Sequence, residues 1–168
     1  MYRVSVFLLI YFSFAAQAGD TITVVSGISK PPYVIQKDNS GFEIDLIRNV
    51  IKTMRKSAKF MYVNYGRSSK LLYTEDVDAV MTTNNLVFID QSILSDPYIS
   101  YHNVAITLAE NDFQIDNISD LSRYSIVSFQ LANKVLGQAF AEAAQNSPMY
   151  IQMGRQSRQP EMLFKKTC

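Results

Sequence analysis

Apolar and polar positions alternate in TITVV, Thr21 to Val25, and the residues are mostly β-branched, which predicts a first strand. Gly27 breaks it, and Pro31-Pro32 hold the following loop away from helix. YVIQ is then a short extended piece, closed by the turn-rich KDNSG. From there the apolar period changes from two to 3.6. Phe42, Leu46, Ile47, Val50, Ile51 and Met54 fall on one helical face, which is expected to bury against a sheet. Ser40 and Glu43 stand at capping-box spacing, so each is expected to satisfy an amide donor at the helix start.

AKFMYVNY (58–65) predicts a second strand and SSKLLYTE (68–75) a short helix. VDAVMTT, Val77 to Thr83, is apolar almost throughout, as in a strand covered on both faces. This strand–helix alternation predicts a parallel α/β sheet with right-handed crossovers. Asp96-Pro97 marks a turn, and a further strand is expected from about Val104 to Leu108. After ENDFQIDNISDL the pattern restarts. YSIVSF (124–129) and MYIQM (149–153) are strands around one helix, LANKVLGQAFAEAAQ (131–145), with Leu131, Val135, Ala139 and Ala143 at four-residue spacing. QPEMLFKK (159–166) opens another helix. Two α/β segments therefore join near Ala109 to Asn117. The second offers two strands where a sheet usually has more.

The amino terminus has a different pattern. Arg3 precedes the apolar run VSVFLLIYFSFA, and Ala16 and Ala18 are the small residues of a leader-cleavage site. Cleavage after Ala18 is expected, with export to the periplasm. The run is shorter than the roughly 20 apolar residues of a spanning helix, and a buried amino-terminal strand is the alternative. The remaining stretch of about 150 residues is enough for one domain with a core. Formal net charge is +1 with Lys and Arg dispersed, which excludes the field that nucleic acid or an anionic membrane requires. Cys168 is the sole cysteine, so no intramolecular disulfide can form. His102, the only histidine, has no companion at ligand spacing, so no metal site is expected. Glu43 and Asp45 stand two apart on a helix and cannot pair as catalytic carboxylates; they suit its positive end instead. No nucleophile elbow, dinucleotide fingerprint or phosphate loop is present, which predicts no catalytic residue and no cofactor.

KPPYVI, GFEIDLIRNVI, VDAVMTT and SDPYIS, in that order and near that spacing, resemble the bacterial family 3 extracellular solute-binding proteins. These are the periplasmic receptors of polar amino-acid ABC transporters. ISDLSRYSIVSFQ is similar to the opening of that family's second lobe. The resemblance implies a periplasmic-binding-protein-like α/β fold of two lobes that close over a small solute. It divides the chain into a signal peptide (1–18), a nearly complete first lobe (19–108), and a hinge with a partial second lobe (109–168). In open parallel sheets, ligands sit beyond the carboxyl ends of strands where strand order switches. With the first and third strands as neighbours there, Lys30, Tyr33, Thr82, Thr83 and Asn84 are expected to face one crevice. Gln130 is expected from the second lobe. The prolines would reduce the ordering cost of binding. Each residue also has an ordinary alternative: Lys30 as a solvated loop charge, Tyr33 as a cover over the helix. Tyr98 and Tyr101 are expected to pack or snorkel at the surface. His102 is expected to be structural, and Arg155 and Arg158 to be exposed charges.

The chain also departs from that pattern. NNLVFIDQSILSDP (84–97) contains no arginine to grip an α-carboxylate, and FQLAN lacks the family's glycine and hydroxyl. The family's ammonium-binding aspartate would fall beyond Cys168. An ordinary α-amino acid is therefore not the expected ligand. Complete members run on for roughly 60 to 90 further residues, so a truncated product of low stability is expected. The function expected is a monomeric periplasmic solute-binding protein for a small polar solute, amino-acid-like or another small organic molecule. It would deliver that solute to ABC-transporter membrane subunits and would not be an enzyme. The alternatives are the sensor lobe of a signalling protein, a dehydratase-like enzyme with Glu43 or His102 in the cleft, and a product without function.

Overall fold

The computed structural model describes residues 20–73 and 76–165. The expected signal peptide and Cys168 lie outside the described residues, as do Thr74 and Glu75 of the helix expected over 68–75.

Strand β1, Thr21–Gly27, pairs in parallel along its whole length with β2, Ser57–Val63. Helix α1, Phe42–Thr53, makes the crossover between them. Helix α2, Tyr65–Leu71, leads to β3, Ala79–Val80, which pairs in parallel with the other edge of β1. The order is β2-β1-β3, so β1 is central and Val24, Val25 and Ser26 are buried. Strand β3 is much shorter than the run 77–83. At one end the Asp78 carboxylate accepts from the Thr23 amide at 2.7 Å, and at the other Thr82 turns the chain out of the ladder with φ 60°.

The buried face of α1 is only partly the expected one: Ile47 and Ile51 lie on it, but Phe42, Val50 and Met54 do not. Ile44 and Ile51, with half-buried Ile47, pack on Val24, Val34 and Met81, while Phe42, Val50 and Met54 are exposed. The cause is the way the helix is entered. Its N-cap is Gly41, with no side-chain cap, and the Pro32 and Tyr33 carbonyls accept from the Phe42 and Glu43 amides at 3.1 and 3.0 Å. This contact turns Glu43 and Ile44 inward, so the Ser40–Glu43 capping box does not form. Gly41 has φ 116°, and a Cβ there would meet the Tyr33 carbonyl oxygen at 2.5 Å, so only glycine allows the approach.

The second unit begins with a 3-10 turn over Ile118–Arg123, closed by a reciprocal Asn117–Asp120 capping box. Strand β4, Ile126–Phe129, pairs in parallel with β5, Tyr150–Met153. The helix expected over 131–145 is two: α3, Ala132–Val135, and α4, Gln138–Asn146. Gly137, with φ 88°, breaks it. Ala132, Phe140 and Ala144 form the small core there, and Ala139 is exposed. Helix α5, Arg158–Lys165, follows. The segment 104–108 joins no sheet among the described residues, and Val104 and Ile106 are exposed. No helix among the described residues is long and apolar enough to cross a membrane.

Candidate functional site

The loop after β1 folds back on itself. Lys30 and Val34 exchange backbone hydrogen bonds at 2.8 and 3.0 Å, with the two prolines at the tip. Because the same loop caps α1, Lys30 and Glu43 are brought together. The Lys30 ammonium lies 3.2 Å from Oε1 of Glu43, which is fully buried.

Three hydroxyls converge on that carboxylate. Thr82 donates to Oε2 at 2.6 Å, Tyr98 donates to Oε2 at 3.1 Å, and Tyr101 donates to Oε1. The hydroxyls are tied to one another and to Lys30. Lys30 donates to the Tyr101 hydroxyl at 2.6 Å, and the Thr82 amide donates to the Tyr98 hydroxyl at 3.0 Å. Aromatic rings wall the ammonium. It lies 3.9 Å from the Tyr101 ring centroid and 5.4 Å from that of Tyr33, and the two rings meet edge-on at 5.1 Å.

The electrostatics follow from this geometry. Burial pushes Glu43 up, but hydrogen bonds from Thr82 and Tyr101 and the Lys30 charge outweigh it, and its pKa is lowered. Lys30 is lowered by burial, partly offset by Glu43. Burial and the Glu43 charge push Tyr98 up to about 12, and Tyr101 is raised by burial and the same carboxylate. Both phenols therefore stay protonated at neutral pH and act as donors to an ionised carboxylate.

Of the residues singled out in the sequence, Lys30, Tyr33 and Thr82 meet in this cluster. The Thr83 Oγ1 is buried with no hydrogen-bond partner among the described residues. Asn84 organises the next turn instead: its carbonyl accepts from the Val87 and Phe88 amides at 3.1 Å and its Oδ1 from Leu86 at 3.0 Å. Gln130, at the exit of β4, accepts from the Gly66 amide at 3.1 Å and so ties the second unit to the start of α2. Glu43 was expected in the cleft only under the enzyme alternative, and Tyr98 and Tyr101 were expected mainly at the surface. Tyr98 and Tyr101 do not snorkel; their hydroxyls are drawn inward by the buried carboxylate. His102 is exposed. Among the described residues no group of three or more His, Cys, Asp and Glu is placed to hold a metal ion.

No family model matches the chain, and no curated protein matches its sequence. Among solved structures, it is similar to the ancestral amino-acid-binding protein AncCDT-1, described as a precursor of cyclohexadienyl dehydratase. That match has a TM-score of 0.68 and 19% identity, over 88% of this chain and 67% of the other. It is also similar to an ancestral arginine-binding protein solved with arginine (TM-score 0.61, 20% identity) and with glutamine (0.62, 18%). Each of these covers 88% of this chain and 66% of the other. The chain thus spans about two thirds of the length of these structures. At such identities the likeness concerns the fold alone, which is the parallel-sheet α/β fold of periplasmic binding proteins.

Proposed function

We propose that the chain is a periplasmic solute-binding protein, exported through residues 1–18, that holds a small polar solute and delivers it to ABC-transporter membrane subunits. The observation that carries this reading is the convergence of Lys30, Tyr33 and Thr82 at the carboxyl ends of β1 and β3. The strand order β2-β1-β3, with β1 and β3 meeting at a switch point of a parallel sheet, supports this reading. The cluster offers one ammonium, one carboxylate and three hydroxyls between tyrosine rings. A solute with polar groups of its own can exchange for bonds the cluster now makes internally. The lobes proposed are 19–108 and 109–168, and closure follows from the solute's preference for the closed form.

Binding is favoured over catalysis by the state of the acids. Glu43 is ionised and saturated with donors, so it is a poor general acid, and His102 lies out in solvent. Thermal denaturation of the chain with amino acids, small organic acids and amines tests the reading. At least one solute is expected to raise Tm in a concentration-dependent way, by about 2.7 kcal/mol of stability at a hundredfold excess over Kd. A flat response across the panel contradicts it.

A further inference from the structure

Helix α1 carries an apolar ridge on its outer side. Phe42, Leu46 and Val50 follow one another at four-residue spacing, and Met54 continues them at the C-cap. The inner side, with Ile44, Ile47 and Ile51, is spent on the sheet. Phe42, Val50 and Met54 are 60%, 50% and 57% exposed, and Leu46 is half-buried. A row of large apolar side chains left to water marks an interaction surface.

Charges border one flank of the ridge. Asp45 in the first turn and Lys52 in the last stand seven residues apart, so they lie on the same side of the helix. Both are exposed. Arg48 pairs with Oδ1 of Asp45 at 2.5 Å, and Lys52 has no carboxylate partner among the described residues.

This arrangement complements itself. A two-fold axis at the level of Arg48 reverses the helix direction and keeps each flank beside its own copy. It sets Phe42 against the second copy's Met54 and Leu46 against the second copy's Val50. The same operation sets Asp45 of each copy against Lys52 of the other, at both ends of the contact. The helix dipoles are then opposed, which is the favourable sense. Parallel packing would instead lay Asp45 on Asp45 and Lys52 on Lys52, and like charges repel.

We propose that α1 is the contact surface of a symmetric dimer. A second copy of this chain lays its own α1 antiparallel over Phe42, Leu46, Val50 and Met54, with Asp45–Lys52 ion pairs closing both ends. The 12-residue helix is about 18 Å long at 1.5 Å per residue. Contact confined to it buries less than the roughly 1,200 Å² of a standard interface. The dimer is therefore weak: the chain is monomeric when dilute and pairs as concentration rises. Growth stops at two, because a two-fold contact uses the same patch on both copies. The inference is independent of the solute reading, since no ridge residue belongs to the Lys30–Glu43 cluster.

Sedimentation equilibrium of the full chain across a wide concentration range tests the dimer. The parent is compared with Val50→Glu, Asp45→Lys, Lys52→Asp and the double variant Asp45→Lys/Lys52→Asp. Val104→Glu, which alters an exposed apolar residue off α1, is the control. Circular dichroism checks that each variant is folded, and the charge swap keeps the test decisive if Val50→Glu disturbs the helix. The parent is expected to show a monomer–dimer equilibrium whose Kd Val50→Glu weakens tenfold or more. Each single charge reversal is expected to weaken it, the double variant to return it close to the parent value, and Val104→Glu to leave it unchanged. A parent that stays monomeric at every concentration overturns the proposal. So does a dimer that Val50→Glu leaves intact, because another surface then holds it. A double variant as weak as the single ones overturns the antiparallel arrangement.

Discussion

Two polar regions flank the loop after β1, and they treat charge in opposite ways. On the Lys30 side the ammonium and the Glu43 carboxylate are withdrawn from water and answered by each other and by three hydroxyls. On the Ser29 side the Arg155 guanidinium stays in solvent, and among the described residues no carboxylate answers it. Burial explains the contrast. A charge out of water must find its partners inside the fold, because an unpaired one is strongly destabilising. An exposed arginine loses little by standing alone. The first region therefore holds the unit together. The second leaves its guanidinium open to water.

Glu43→Ala should break this comparison most sharply. It strands Lys30 against apolar and phenolic neighbours, and chemical denaturation should show a loss of about 3–5 kcal/mol. A loss near zero would mean that the pair is not a buried one. Acid titration gives the next effect. Because Glu43 has a native pKa below its ordinary 4.5, its contribution is complete above that value and is lost as pH falls through the lowered one. The parent should therefore lose stability on acidification below about pH 4.5, by an increment that Glu43→Gln lacks. Parallel pH curves for the two proteins would contradict the assignment. Arg155→Gln should do least, changing unliganded stability by no more than about 0.5 kcal/mol. A larger loss would make Arg155 a structural residue and erase the contrast.

What was legible in the sequence, and what was not, follows the same division. The β-branched alternation of Thr21–Val25 and the switch to helical period after Gly41 appear as β1 and α1. Their signals are local, and tertiary structure did not override them. Lys30 and Thr82 could be placed near each other because strand order in an α/β sheet is predictable. Glu43 could not. Its spacing from Ser40 matched a capping box, and only the contact of the Pro32 and Tyr33 carbonyls with the helix start turns it inward. That turn also rotates the buried face, which left Phe42, Val50 and Met54 exposed. Tyr98 and Tyr101 were hidden for a related reason: amphipathic rings fit a surface as well as a buried acceptor, and the acceptor lies more than fifty positions away. Gly137 is inside a run with helical period, and its positive φ, not visible to periodicity, splits α3 from α4.

Assigned amide resonances of the chain, followed while a Tm-raising solute is titrated in, test the central claim most directly. The account predicts that the largest shifts fall on Ser29 to Tyr33 and Thr82 to Asn84, which emerge together at the carboxyl ends of β1 and β3. Shifts confined to the far ends of those strands, or to the exposed face of α1, would contradict it.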